Sequence, residues 1–264
     1  MEYTFGFIGT GNMGGALARA IRRGAEAGRM VLHNRTAQKA EALARELSCT
    51  AGTLAQAAEQ DYVFLGVKPH QAKDVLAQAF PSMQKGAVLV SMAAGLTLEQ
   101  LAGMTSPDTA IVRILPNTPV SVGKGIVLWS RNACVTDERL GALLSALDPC
   151  GVCYPIEERL MEVGSALCGC SPAFTDLYIE ALSDGAVACG FPRKEALFLA
   201  AKAVEGAAAL CVQDGRHPGA LKDSVCSPGG STIQGVRTLE KNGFRSAVIE
   251  AIIAADEKGK TLGK

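Results

Sequence analysis

Short apolar runs alternate with amphipathic stretches along the first part of the chain, up to about Pro155. The runs at residues 3–8, 30–33, 62–67, 87–91, 110–114, 125–129 and 151–154 are nearly continuous in Val, Ile, Leu, Phe and Tyr. Such runs suit strands covered on both faces. Between them lie stretches of helical spacing at about 12–23, 36–47, 71–79, 96–102 and 136–147, with a loop and helical turn at 51–58. Strand and helix in alternation predict an α/β domain, a Rossmann-type doubly wound sheet, over residues 1–156.

After Pro155 the strand signal stops. Helical spacing covers 157–167, 173–188, 194–213 and 243–260; residues 218–223 lead into a polar loop at 227–232, and one more helix follows that loop. The run Gly169-Cys170-Ser171-Pro172 is expected to break the first two apart. Residues 157–264 therefore read as an all-helical C-terminal domain. Its apolar faces, including Ala196, Ala200, Ala203, Ala207 and Leu210 on one helix, exceed what one small bundle buries. That excess predicts a homodimer through the helical half.

Composition narrows the function. Hydrophobic residues make up 48% of the 264 positions and charged residues 20%, enough for a sizeable core. The formal net charge is zero, which gives no support to a nucleic-acid or acidic-membrane partner. The charge-free run at residues 3–18 is interrupted by glycines and has no basic flank, so neither a signal peptide nor a membrane span is expected. Nine cysteines, an odd number without framework spacing, suit reduced thiols in a cytoplasmic protein. Cys150 and Cys153 have metal or redox spacing but lack a second pair or a nearby His, and no metal is expected.

The first strand ends in Gly9-Thr10-Gly11-Asn12-Met13-Gly14 and runs into a helix. This is G-x-G-x-x-G in its proper setting. Gly9 serves the tight turn, Gly11 admits a pyrophosphate to the backbone, and Gly14 lets helix and strand pack closely. The second strand is followed by Asn34-Arg35-Thr36, with no acid to hold a ribose 2′-OH. Arg35 with its neighbours offers donors to a 2′-phosphate, so NADPH is the expected cofactor and NADH the alternative; Arg35 as a solvated surface residue is the competing reading. Val67, Lys68 and Pro69 stand at the carboxyl end of another strand, where ligands sit in open α/β sheets. Lys68 reads as an acid near the nicotinamide or as a positioning charge, and the second is favoured. Ala93, Ala94 and Gly95 are small enough for a flat ring to lie against them. Asn117 and Thr118 read equally as site residues or as a structural turn.

In the helical half, Ser227-Pro228-Gly229-Gly230-Ser231-Thr232 feeds the start of an amphipathic helix. Unpaired N–H groups at such a start hold a small anion without a cationic side chain. A plain hydroxyl cap by Ser231 or Thr232 is the simpler alternative. The acids Asp176, Glu180 and Asp184 share one helix face, most simply a solvated or interface face.

Taken in order, GTGNMGG, LGVKPH, SMAAG, LPNTP, GCSPAF and LKDSVCSPGGSTIQGVRTLEKNGFRSAVIEA resemble the pyrroline-5-carboxylate reductase family over nearly the whole chain. The last motif is long and specific. The resemblance implies reduction of 1-pyrroline-5-carboxylate to L-proline by NAD(P)H, the last step of proline biosynthesis. It implies a Rossmann domain joined to a helical dimerisation domain, with dimers often assembled into decamers. By position, it implies that Ser227, Gly229, Gly230, Ser231 and Thr232 bind the substrate carboxylate, and that the Thr232 hydroxyl touches the ring nitrogen. Gly9 to Gly14 match the pyrophosphate loop, and Val67-Lys68-Pro69 and Ala93-Ala94-Gly95 the nicotinamide side. The chain departs from the family in having GCSPAF for GSGPAY, SPGGST for SPGGTT, Ser224 for an Asn, and no Asn in Ala51-Gly52-Thr53. Rival readings are another imine or β-hydroxyacid reductase, whose candidate bases are Lys194, Lys202, His217 and Lys222, and a non-catalytic NADPH sensor.

If Arg35 recognises the 2′-phosphate, Arg35→Ala lowers the ratio of kcat/KM for NADPH over NADH by roughly tenfold, the worth of one charge-assisted hydrogen bond. Steady-state assays with both cofactors check this, and an unchanged ratio removes Arg35 from cofactor choice.

Overall fold

The computed structural model describes residues 3–261. In chain order the elements are β1 (Phe5–Ile8), α1 (Asn12–Arg22), β2 (Met30–His33), α2 (Ala37–Leu47), β3 (Thr50–Ala51), α3 (Leu54–Ala58), β4 (Tyr62–Leu65) and α4 (Pro69–Ala79). There follow β5 (Val88–Ser91), α5 (Leu98–Gly103), β6 (Ala110–Pro116), β7 (Gly125–Arg131), α6 (Asp137–Leu147), β8 (Gly151–Pro155) and α7 (Met161–Gly164). A π-helical turn, Ser165–Cys170, leads into α8 (Ser171–Ala188), α9 (Arg193–Asp214), α10 (Pro218–Ser224), α11 (Ser231–Lys241) and α12 (Phe244–Gly259). Contacts divide the chain into two compact units: Met1–Cys170 with Ala255–Lys264, and Ser171–Ala254.

The first unit carries one eight-stranded sheet in the order β3-β2-β1-β4-β5-β6-β7-β8. The first six strands in the sequence pair in parallel, β7 runs antiparallel to β6, and β8 is parallel to β7. The reversal follows from connection length. Only a short segment with the 3₁₀ turn Thr118–Val122 joins β6 to β7, too little for a parallel crossover, whereas α6 spans β7 to β8. Three details differ from the hydrophobic pattern. Thr50–Ala51 form a strand of two exposed residues, too short to leave a period. Pro69 opens α4 at its first position, where a missing N–H costs nothing. The helix does not break at residues 169–172: the wider π-helical turn relaxes the i→i−4 requirement just ahead of Pro172, which takes the second place in α8.

Strand side chains alternate between the two sheet faces. Phe7, Tyr62, Phe64, Val88 and Val90 join a core under α1, α2 and α6, while Ile8, Val63, Leu65 and Leu89 join one under α3, α4 and α5. Phe7 and Phe64 stack at 4.6 Å. Beyond β5 the sheet is held by charge as well as by packing. The Arg113 side chain on β6, 5% exposed, pairs with Glu158 at 2.7 Å and Glu162 at 3.3 Å. Glu158 also accepts from the N–H of Leu98, at the start of α5, at 2.6 Å.

The second unit has no such core. Among its described residues only Ser183 and Ala196 are buried, while Leu177, Phe198, Leu210 and Val212 are more than half exposed. Arg193 at the start of α9 donates to the Ser183 hydroxyl at 3.2 Å and pairs with Asp184. So much exposed apolar surface requires a partner molecule. No helix among the described residues is long and apolar enough to cross a membrane.

Replacing Arg113 with Leu leaves two partly buried carboxylates facing each other. The expected cost is roughly 2–4 kcal/mol, below the fully buried case because both glutamates keep some solvent contact. A fall in the urea midpoint at constant slope checks it, and an unchanged midpoint contradicts it.

Candidate active site

The site begins where β1 ends. Gly9 has φ +98, a left-handed conformation that side chains avoid, and its N–H donates to the carbonyl of His33 at 2.8 Å. A Cβ on Gly14 would lie 2.1 Å from the Gly9 carbonyl oxygen, and one on Gly9 would lie 2.5 Å from that of Gly66. Strand, turn and helix thus touch through bare backbone. Gly11, the N-cap of α1, has no side-chain cap, and a Cβ there would meet nothing within 4 Å. Its open side and the free N–H groups of the first turn suit a diphosphate.

Asn34 braces this loop. Its side-chain oxygen accepts from the Thr10 N–H at 3.1 Å, and its amide donates to the Thr36 carbonyl at 3.2 Å. The Thr10 hydroxyl is buried and has no protein partner among the described residues.

A cavity of about 900 Å³ opens over the carboxyl ends of β1, β2 and β4, large enough for most of a dinucleotide. It gathers Gly9, Gly11, Asn12, Met13 and Gly14 from the first loop, Asn34 and Arg35 from beyond β2, Val67, Lys68 and Pro69 from beyond β4, and Ala94. Thr10 and Ala93 are buried beside it without lining it, and Gly95 takes a turn with φ +79. Sequence reasoning did not single out Lys39, Leu54, His70, Gln71, Asp74, Val75 and Gln78, which also line it. For α4 the signal was present: Gln71, Val75 and Gln78 stand at i, i+4 and i+7 on one helix face. The glycine cradle, the open Gly11 and the cations Arg35, Lys39 and Lys68 fit a phosphorylated dinucleotide.

The second unit holds the other predicted loop. The Gly230 N–H bonds the Ser227 carbonyl at 3.0 Å, closing a turn in which Gly229 has φ +70. Gly230 is the N-cap of α11, and no side chain caps that helix. Neither Ser231 nor Thr232 therefore acts as a capping hydroxyl. Both are exposed, and their N–H groups have no partner among the described residues. This is a helix start open to a carboxylate.

Other candidates serve the fold. The Asn117 side chain accepts from the Ile126 N–H at 2.8 Å and donates to the Cys168 carbonyl at 3.0 Å, so it ties a turn. Burial pushes the Cys150 thiol up to about 12 and the Cys153 thiol to about 11, so both stay protonated at neutral pH. Lys222 pairs with Asp223.

Residues 4–95 match the family described as NADP oxidoreductase, coenzyme F420-dependent, and residues 158–262 match pyrroline-5-carboxylate reductase dimerisation. Pyrroline-5-carboxylate reductase of Escherichia coli (strain K12) is 40% identical over 268 residues, with all of both chains covered. That of Glycine max is 37% identical, covering 99% of this chain and 96% of its own. Among solved structures, the Plasmodium falciparum pyrroline carboxylate reductase with NADP bound aligns over all of both chains at TM-score 0.90 and 30% identity. Fold and cavity together define an NADP-type oxidoreductase with a helical oligomerisation region, and the molecule is a homo-oligomer. The chain belongs to the pyrroline-5-carboxylate reductase family.

Two glycines separate fold from binding. Gly14→Ala forces a Cβ onto the Gly9 carbonyl and lowers the melting temperature by several degrees, as an unrelieved clash of about 1–3 kcal/mol does. Gly11→Ala leaves melting within about a degree, because the added methyl meets only open space, and weakens NADPH binding by roughly tenfold or more. Thermal melting and calorimetric titration check the pair; equal behaviour of the two variants contradicts the assignment.

Proposed function

We propose that this chain reduces 1-pyrroline-5-carboxylate to L-proline, the last step of proline biosynthesis, with the helix start at Ser231 and Thr232 holding the substrate carboxylate. The observation that carries the reading is the uncapped start of α11 behind the Ser227–Gly230 turn, in a chain whose first unit has a cavity fitted to a dinucleotide. When bound, NADPH supplies the hydride, with NADH the lesser alternative. Residues 1–156 hold the dinucleotide: Gly9 to Gly14 take the diphosphate, Arg35 the 2′-phosphate, and Val67 to Pro69 with Ala93 to Gly95 the nicotinamide side. Residues 157–264 bind the substrate and build the dimer, and dimers assemble further into decamers in the cytoplasm.

The substrate is a cyclic imine with one carboxylate. Its C=N carbon takes the hydride, its nitrogen ends with one more proton and its C=N bond becomes single. The reaction needs an anion site, a placed hydride donor and a protonated nitrogen. It needs no strong base or nucleophile. Ser231 and Thr232 N–H groups fix the carboxylate, Gly229 and Gly230 let it come close to the backbone, and Ser227 adds a hydroxyl. The Thr232 hydroxyl hydrogen-bonds the ring nitrogen and steadies its proton, whether the imine arrives protonated or takes the proton by way of Thr232 or a water.

Thr232→Ala is expected to cut kcat/KM for pyrroline-5-carboxylate by roughly ten- to a thousandfold, the loss of one placed hydrogen bond at a reacting centre. Melting stays unchanged, since the side chain is exposed. NADPH oxidation followed with this substrate and with its six-membered homologue checks the reading. Wild-type turnover in the variant excludes Thr232 from the reaction, and no turnover of either ring by the wild type overturns the function.

A further inference from the structure

Taking the nicotinamide to lie against Ala93 to Gly95, as proposed above, we infer that Glu158 is a positioning residue for hydride transfer. Its carboxylate, fixed by Arg113, holds the Leu98 N–H and so anchors the α5 end of that loop. One oxygen of Glu158 accepts both from the Leu98 N–H at 2.6 Å and from the Arg113 guanidinium at 2.7 Å. A second guanidinium nitrogen reaches Glu162 at 3.3 Å. Arg113 is buried and stands on β6 in register with Ser91, the last residue of β5. The Ser91 hydroxyl accepts from the Ala93 N–H at 3.3 Å, and the Met92 N–H donates to the Leu65 carbonyl at 3.0 Å. The loop is therefore pinned to the sheet at its β5 end by Met92 and Ala93, and at its α5 end by Glu158.

Between these anchors the chain turns tightly. Gly95 takes φ +79, and the Leu96 N–H closes the turn on the Ala93 carbonyl at 3.4 Å, a long bond. Met92 and Ala94 line the cavity. Formation of α5 does not need Glu158. Thr97 and Gln100 already make a capping box, the Thr97 hydroxyl accepting from the Gln100 N–H at 3.1 Å and the Gln100 side chain from the Thr97 N–H at 2.8 Å. A carboxylate 60 positions away along the chain adds one bond, to the first N–H of the helix. That bond sets where α5 begins against the sheet, not whether it forms. Hydride transfer is steep in geometry, and a misplacement of about 1 Å can cost about a hundredfold in rate. A loop fastened at both ends holds the ring at its working distance.

Leu98→Pro deletes the N–H and leaves Glu158 and Arg113 in place. Proline suits this first helical position, and Thr97 ahead of it is already extended. Leu98→Ala shortens the side chain, keeps the N–H and serves as the control. In the full chain, Leu98→Pro is expected to slow single-turnover oxidation of NADPH by 1-pyrroline-5-carboxylate by roughly tenfold or more relative to Leu98→Ala. In calorimetry it weakens NADPH by roughly three- to tenfold, while adenosine 2′,5′-bisphosphate, which lacks the nicotinamide, binds within about twofold of wild type. Glu158→Ala repeats the loss of rate, and Glu158→Gln, whose amide oxygen still accepts the N–H, recovers most of it. A Leu98→Pro rate equal to that of Leu98→Ala overturns the role, and so does a bisphosphate affinity that falls as far as that for NADPH. If Leu98→Pro does not fold, Glu158→Ala against Glu158→Gln decides by the same criteria. A wild type that binds NADPH and reduces no pyrroline overturns the reaction, and the two affinities then decide the role of Glu158.

Discussion

Everything in the first unit depends on three stretches of backbone touching without side chains between them. The Gly9 carbonyl fills the space a Gly14 side chain would need, and Gly9 itself lies against Gly66. This contact brings the start of α1 down onto the end of β1 and sets both beside the end of β4. The same contact leaves the α1 N-terminus facing the cavity with Gly11 open beside it. Close packing and anion binding are thus two results of one constraint, and neither survives bulk at positions 9 or 14. The sheet is built to hold that point still. Its central strands are buried on both faces, and aromatic rings of β1 and β4 stack across the pair.

The second unit follows the opposite rule. It buries almost nothing of its own among the described residues, and its large side chains stay exposed in a single chain. Hydrophobic free energy that the first unit takes from an internal core must here come from association with another copy. The proposed carboxylate loop belongs to this unit, so assembly and substrate binding share one scaffold. An uncapped helix start is costly unless water or a ligand meets its N–H groups. In α11 a glycine, and not a Ser or Asp, holds the N-cap position and leaves those N–H groups open, which suits the proposed carboxylate site.

Much of this was legible in the chain itself. Strand runs such as residues 62–67 carry their own hydrophobic signature, and the glycine spacing from Gly9 to Gly14 names its use because each glycine has a separate steric task. The reversal at β7 was not legible, since apolar runs read the same in either direction and only the short link from Asn117 to Lys124 decides. The continuous helix through residues 165–188 was hidden as well. Gly169 and Pro172 signal a break, and a π-helical turn absorbs them through hydrogen bonding that no residue pattern announces. In the cavity, Lys39 was missed because only position in three dimensions brings it there, while the α4 face carried a helical spacing that alone does not say what it faces. Asn34 lines the cavity and also braces two loops, and that second use is one no residue pattern announces.

The central claim is that main-chain amides, with no cationic side chain, hold the substrate by its carboxylate. The most direct measurement compares kcat/KM for 1-pyrroline-5-carboxylate with that for unsubstituted 1-pyrroline, at saturating NADPH. A site built around that anion rejects the bare ring by at least roughly a hundredfold. Equal efficiency on the two imines would mean that the open start of α11 binds nothing that matters to the reaction.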